Sequence, residues 1–404
     1  MNDSIKSIDG GICAVDVKAG GIREGKYGVC VISFPKTMAT GVFTTNKIMA
    51  APVKHTKNIM ENNFISAIIA NSGNANCFTG SQGEEDCKDM INHLSNKLNI
   101  NKNEIAIAST GVIGRKMPMK TIYKLIDNLK LENSNEASTN SAKAIMTTDT
   151  VHKEYAVEIT LKNGEKVKIG AIAKGTGMIA PNMATMLCFI STDAKIEDKK
   201  LLKDSLKKAV DKSFNMLVVD GDESTNDEVI LVTTKKVDVI DNDGLDSNFQ
   251  DGLDYLCIQL AKMMASDGEG ATKFLEVEVN GAKSYDDAKT MAKSVVSSSL
   301  VKTAIFGGDP NWGRIIAVIG YCGVDFNLDN ISIAISNNEE KVYLVKNSEI
   351  LGFEGTTNLK DAEEIMKNDE IHILIDLHLA NGSATAFGCD LTYDYVKINA
   401  EYTS

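Results

Sequence analysis

The chain has 404 residues, 43% hydrophobic and 24% charged, which suits a soluble globular protein long enough for two lobes. A formal net charge of −12 with no basic patch argues against nucleic acid or anionic membrane as a partner. The opening "MNDSIKSIDGG" lacks the apolar core of a signal peptide, and apolar runs such as 64–70 fall far short of the ~18 residues of a membrane span.

In chain order, residues 27–33, 66–71 and 104–109 read as strands rich in Val, Ile and Ala. Apolar residues at helical spacing predict a helix over 115–130, and a second ends near Thr147. Residues 155–161 and 167–173 form a hairpin turning at "KNGE", 162–165. A strand over 185–192 leads into a helix over 195–214, and strands flank Asp220 and cover 228–235. Helices follow at 249–264 and 285–301, then strands near 331–336, 342–346 and 371–378. Hairpins mixed with helices predict an α+β layered sandwich rather than a doubly wound parallel sheet.

The eight cysteines are scattered without a CxxC pair or zinc spacing. They read as small buried hydrophobes in a reducing cytoplasm, and a cytoplasmic location is expected.

Six polar, glycine-containing loops interrupt the apolar structure. They are "NSGNANCFTG" (71–80), "STGVIGRKMP" (109–118), "KGTGMIAPNMAT" (174–185), "VDGDESTND" (219–227), "ASDGEGATK" (265–273) and "GGDPNWGR" (307–314). None has the spacing of a phosphate-binding loop or a dinucleotide fingerprint. The five histidines lie outside these loops and no GxSxG occurs, which disfavours a Ser-His-Asp triad. Asp220, Asp222, Glu223 and Asp227 could be considered for a metal, but their spacing is not that of an EF-hand and suits a hydrogen-bonded loop better. No metal or organic cofactor is expected.

A nucleophile that needs no histidine remains. A threonine with a free α-amine can act as nucleophile and base together, because that amine titrates near ~7.7–8.0. Thr185 could expose its amine if its hydroxyl attacked the carbonyl of the small Ala184 and water then hydrolysed the ester. Gly175 and Gly177 in the preceding loop tolerate a strained backbone. Thr185 could equally be a β-branched residue that simply starts a strand, and residue chemistry alone favours that reading.

The whole set of loops, with "FTTN" (43–46), "APNMATML" (180–187) and the terminal "INAEYTS", resembles the ornithine acetyltransferase (glutamate N-acetyltransferase, ArgJ) family of arginine biosynthesis. The resemblance runs in order along nearly the whole chain. It implies a DmpA/ArgJ-like αββα sandwich in two lobes, related in mechanism to N-terminal nucleophile hydrolases. It implies autoproteolysis between Ala184 and Thr185, giving an α chain of 1–184 as N-terminal lobe and a β chain of 185–404, associated as an α2β2 heterotetramer. The implied reaction is ping-pong transfer of acetyl from N2-acetyl-L-ornithine to L-glutamate through acetyl-Thr185. Position by position, it makes Thr185 the nucleophile, Thr110 and Gly111 the oxyanion hole, and Thr148, Lys174, Thr185, Glu269, Asn399 and Ser404 the substrate contacts.

A non-enzymatic binding protein that stays uncut would leave the Ala184-Thr185 junction unexplained, and two enzymatic alternatives stay open. One is a bifunctional form that also accepts acetyl-CoA; the other is an aminopeptidase or amidase on the same fold. The chain departs from the family pattern at Ser404, where threonine is usual, and at Glu223 and Met216. "GGDPNWGR" is expected to be architectural, with Trp312 packing a turn and Arg314 fixing carboxylates.

Overall fold

The computed structural model describes residues 3–61, 64–179, 186–241 and 244–401. The chain begins with β1 (Ile5–Ser7), β2 (Lys18–Glu24), β3 (Tyr27–Phe43), α1 (Ala51–Met60), β4 (Phe64–Asn74), α2 (Gly80–Leu98) and β5 (Ile105–Val112). It continues through α3 (Met119–Asn128), α4 (Asn135–Ile145), β6 (Lys153–Thr160), β7 (Lys166–Lys174), β8 (Leu187–Lys195) and α5 (Lys199–Lys212). Next come β9 (Leu217–Val218), β10 (Glu228–Asp238), β11 (Ile240–Asp241), β12 (Gly244–Leu245), α6 (Ser247–Ser266) and β13 (Phe274–Ala282). The last part holds α7 (Tyr285–Ser297), α8 (Ser299–Gly307), α9 (Trp312–Tyr321), β14 (Ser332–Ser336), β15 (Lys341–Lys346) and β16 (Glu349–Ile350). It closes with α10 (Thr357–Ile365), β17 (Glu370–Asp376), β18 (Gly382–Cys389) and α11 (Tyr393–Glu401).

The long strand β3 organises the first lobe. Pro35 cannot donate to a ladder, and the pairing of β3 with β4 shifts register between Ser33 and Thr37. Before the shift β3 pairs with β2 and β4; beyond it, Thr37 and Met38 still pair with β4, and Ala39 to Phe43 pair with β10. The strand therefore belongs to two half-sheets, β2-β3-β4-β5 and β1-β6-β7-β8-β10-β3. Strand alternation decides which side chains meet. Cys30, Ile32, Ile68 and Ala106 from one half pack in a single cluster with Ile172, Phe189, Ile230 and Val232 from the other. Their neighbours along each strand point outward. Val29, Val31, Ile69 and Ile107 meet α2 and α3, while Ile169, Ile190, Val229 and Leu231 meet α5 and α6. The result is the αββα sandwich expected from the resemblance. Phe189 is fully buried between the halves, worth about 2–3 kcal/mol of transfer free energy.

The second lobe is built on a sheet ordered β16-β15-β14-β17-β13-β18-β9. Helix α7 packs on β13 and β18, and α6 contacts strands of both sheets. Strand β8 lies between β7 and β10, so residues after 185 complete the first sandwich as well as building the second sheet.

Several expectations are refined by local chemistry. The hairpin forms as β6 and β7, its turn closed by the Leu161 N–H on Glu165 at 2.8 Å. The single helix expected over 285–301 is two, because Ser298 is extended and caps α8 by accepting from Val301 N–H. Trp312 starts α9, and its Nε1 donates at 2.7 Å to the Gly352 carbonyl in the loop that follows β16. Among the described residues Arg314 pairs with no carboxylate; its guanidinium donates to the Leu300 carbonyl at 2.6 Å and to Thr303 Oγ1 at 3.1 Å. All eight cysteines are unpaired, and seven are buried. No helix among the described residues is long and apolar enough to cross a membrane.

Candidate active site

Strand β7 ends at Lys174, and the chain runs on through Gly175 to Ile179. Ala184 and Thr185, the expected cleavage site and nucleophile, lie outside the described residues, as does Ser404. The residues flanking 180–185 are held from both sides by one acidic loop. Asp220 accepts from the N–H groups of Met178 at 2.6 Å and Ile179 at 2.9 Å. Asp227 accepts from the Met186 N–H at 2.9 Å. These two carboxylates, weighed above as metal ligands, bind backbone. Asp227 is fully buried, and burial pushes its carboxyl well above the usual range, which favours the neutral acid.

The other loops interlock around this segment through short amide and hydroxyl side chains. Asn226 Nδ2 donates to the carbonyls of Ala75 at 2.6 Å and Ser109 at 2.9 Å. Thr44 Oγ1 donates to the Ser224 carbonyl at 2.7 Å. Asn74 Nδ2 donates to the carbonyls of Arg115 and Lys116. Thus 43–46, 71–80, 109–118 and 219–227 form one connected framework, because buried backbone groups must find partners. By contrast, 307–314 joins α8 to α9, and its side chains bond within the second lobe.

Within that framework Lys174 is buried, 3% exposed. Its Nζ donates to Thr147 Oγ1 at 2.8 Å and to Thr110 Oγ1 at 3.3 Å, and lies 3.9 Å from Asp149 Oδ2. Burial pushes the Lys174 ammonium below its ordinary range, with Asp149 opposing that shift. Burial alone would raise the Asp149 carboxyl; the ammonium groups of Lys174 and Lys153 and the Thr147 N–H outweigh it and hold Asp149 down to about 2. Thr110 is buried near the end of β5. Its hydroxyl accepts from Lys174, which leaves its own hydrogen to donate elsewhere. Gly111, next to it, has φ +128, and a Cβ there would stand 2.5 Å from Asn74 N and from the Gly73 carbonyl carbon. Only glycine lets β4 and β5 approach this closely at the site.

The remaining expected residues join through Thr176. Thr148 Oγ1 and Thr176 Oγ1 are 2.7 Å apart, and the Thr176 carbonyl accepts from the Glu269 N–H at 2.9 Å. The Glu269 carboxylate lies against Gly177, where a Cβ would approach Glu269 Cδ to 2.4 Å. Asn399, on α11, donates from Nδ2 to Glu269 Oε2 at 2.9 Å. The structure therefore brings together Thr110, Gly111, Thr148, Lys174, Glu269 and Asn399.

Sequence reasoning missed Thr147, Asp149, Lys153, Thr176 and Asp267. Lys153 Nζ bonds Asp149 Oδ1 at 2.8 Å and Asp267 Oδ2 at 2.6 Å, all three buried. The only local sign is Asp149 four residues before Lys153, a spacing common on exposed helices. The partner Asp267 is 114 residues away, and only folding makes the set visible. The site thus offers a buried hydroxyl beside a glycine, a buried ammonium and a carboxylate–amide pair. Such groups suit a developing oxyanion and the charged ends of an amino acid.

The sequence model of the ArgJ family matches residues 14–404. A protein of Methanothermobacter thermautotrophicus named Glutamate N-acetyltransferase is 53% identical over 403 residues, 99% of either chain. A protein of that name from Methanocaldococcus jannaschii is 51% identical over 406 residues, 99% of this chain and 100% of its own. The solved structure of the arginine biosynthesis bifunctional protein argJ from Bacillus halodurans is 43% identical and covers 53% of this chain and 98% of its own, with a TM-score of 0.47. With a match that spans nearly its full length and relatives above half identity end to end, this chain belongs to the ArgJ family.

Proposed function

We propose that this chain is a glutamate N-acetyltransferase of arginine biosynthesis, carrying acetyl from N2-acetyl-L-ornithine to L-glutamate through an ester on Thr185. Its full-length relatives bear that name. The observation that carries the site assignment is the convergence of Lys174, Thr110 and the Thr148–Thr176–Glu269–Asn399 chain on the residues that flank 180–185.

The precursor first cuts itself. Thr185 Oγ adds to the Ala184 carbonyl, the amide shifts to an ester, and water hydrolyses it to free the Thr185 amine. That amine then takes the proton of the Thr185 hydroxyl as Oγ attacks the acetyl carbon of acetylornithine. The Thr110 hydroxyl and Gly111 N–H receive the developing oxyanion. Ornithine leaves with the proton on its α-nitrogen. Glutamate enters, and its amine attacks the acetyl ester and restores the Thr185 hydroxyl. Lys174 suits the α-carboxylate of either substrate, and Glu269 with Asn399 suits an ammonium, with Thr148 and Ser404 completing the pocket. Strand β8 lies between β7 and β10, which supports continued association of 1–184 and 185–404 after the cut. The assembly holds two copies of each chain. Acetyl-CoA is not required by this cycle.

The denatured mass of purified protein tests the first step. Fragments 1–184 and 185–404 are expected from the wild type and one intact chain from Thr185→Ala. Acetylglutamate should then form from acetylornithine and glutamate. A single chain in both proteins, or free acetate as the main product, would overturn the proposal. Acetylglutamate from acetyl-CoA and glutamate alone would establish the wider donor range.

A further inference from the structure

We propose that Lys153 and Asp267 are positioning residues for the acyl transfer, holding Lys174 against Thr110 through the carboxylate of Asp149; this rests on the function proposed above.

The four groups alternate in charge along one buried line. Asp267 Oδ2 meets Lys153 Nζ at 2.6 Å, Lys153 Nζ meets Asp149 Oδ1 at 2.8 Å, and Asp149 Oδ2 stands 3.9 Å from Lys174 Nζ. Lys174 then reaches Thr110 Oγ1 at 3.3 Å. Every member is at least nine-tenths buried. Backbone fixes both carboxylates. Asp149 accepts from the N–H groups of Thr147 at 3.0 Å and Gly175 at 2.8 Å, and Asp267 accepts from Thr150 N–H at 3.1 Å and from the Thr150 hydroxyl.

Neither Lys153 nor Asp267 reaches Thr110 or Glu269 by a hydrogen bond, so the line acts through Asp149. Asp149 controls two things at once. It places the charge that faces Lys174, and it orients the Gly175 N–H, directly after Lys174 in the chain. With Lys153 removed, Asp149 stays held by the Thr147 and Gly175 N–H groups and keeps Lys174 as its ammonium partner, and the stronger pull would draw Lys174 away from Thr110. The line also joins the end of α6, where Asp267 caps the helix, to the start of β6. Glu269 lies two residues beyond Asp267, so the same anchor sets the position of the carboxylate on the far side of the site.

The charged groups that face Lys174 are Asp149 and Lys153 from residues 149–153, Glu269 after α6, and Asp227 before β10. Arg23 faces Asp149 from β2. Lys153 opposes the charge on Lys174, so its removal should let Lys174 hold its proton to higher pH.

The test uses full-length Lys153→Met and the double variant Lys153→Met/Asp267→Asn, in which Asp267 is not left as a buried charge without its lysine. Two readouts are taken. The first is kcat and KM for acetylornithine and glutamate. The second is the titration of Lys174 followed by NMR of labelled lysine side chains, assigned with Lys174→Arg. We expect kcat to fall about 10- to 100-fold with a smaller change in either KM, as for misplacement of a group by a fraction of an ångström. We expect the Lys174 titration to move to higher pH in both variants. A folded double variant with wild-type kcat, or with an unmoved Lys174 titration, would overturn the inference. If the wild type itself makes no acetylglutamate, the functional proposal fails separately, and the titration, which needs no turnover, still decides whether Lys153 governs Lys174.

Discussion

Replacing Asp149 by asparagine gives a stability change whose pH dependence can be worked from the site. Asp149 is held down to about 2, against an ordinary value of 3.8. That gap is worth about 2 kcal/mol at neutral pH, at roughly 1.4 kcal/mol for each pH unit. The sign follows from the direction. A carboxyl with a depressed folded value contributes stability that is present above about 4 and fades as pH falls toward 2. The substituted amide cannot ionise, so the variant lacks this contribution at every pH. The amide also has a single acceptor oxygen, so it cannot serve both the Thr147 N–H on Oδ2 and the Gly175 N–H on Oδ1, a constant offset of about 1–3 kcal/mol. Reversible urea unfolding of the uncut Thr185→Ala chain, wild type at position 149, and of the same chain carrying Asp149→Asn, followed by circular dichroism from pH 7 to pH 2.5, measures the difference directly. The wild type should lead by about 3–5 kcal/mol at pH 7, and the lead should shrink by about 2 kcal/mol on acidification. A difference that stays flat across that range would refute the claim that the buried ammonium groups stabilise an ionised Asp149.

Removal of the Thr110 hydroxyl in Thr110→Val should lower kcat about 100- to 1000-fold with little effect on KM, measured by steady-state acetyl transfer; an unchanged kcat would remove Thr110 from the oxyanion site. Gly177→Ala should push the Glu269 carboxylate off its place beside Asn399, since the new Cβ would meet Glu269 Cδ at 2.4 Å. Glu269 can rotate, so the melting temperature should move little while KM rises several-fold. Gly111→Ala meets backbone rather than side chain, at φ +128, and should cost about 1–3 kcal/mol, read from the thermal midpoint.

Much of this protein was legible in its residues. The hairpin at 162–165 declared itself through turn chemistry and alternating strands, both local signals. The loops at 71–80, 109–118, 174–185 and 265–273 could be singled out because polar, glycine-bearing sequence interrupts apolar runs, and the family resemblance named Thr110, Gly111, Thr148, Lys174, Glu269 and Asn399 within or near them. The apolar spacing over 285–301 is continuous and predicts one helix, while the break at Ser298 depends on a capping geometry that spacing does not encode. Tertiary structure alone decided that β3 would pass from one half-sheet to the other after Met38, since that requires both partners to be in place. It alone joined Lys153 to Asp267 across 114 residues. A buried ion pair carries no periodic signature, because its partners are selected by where the chain returns in space. What a residue can do chemically is written at its position, but which groups it meets is settled only when distant strands and loops pack together.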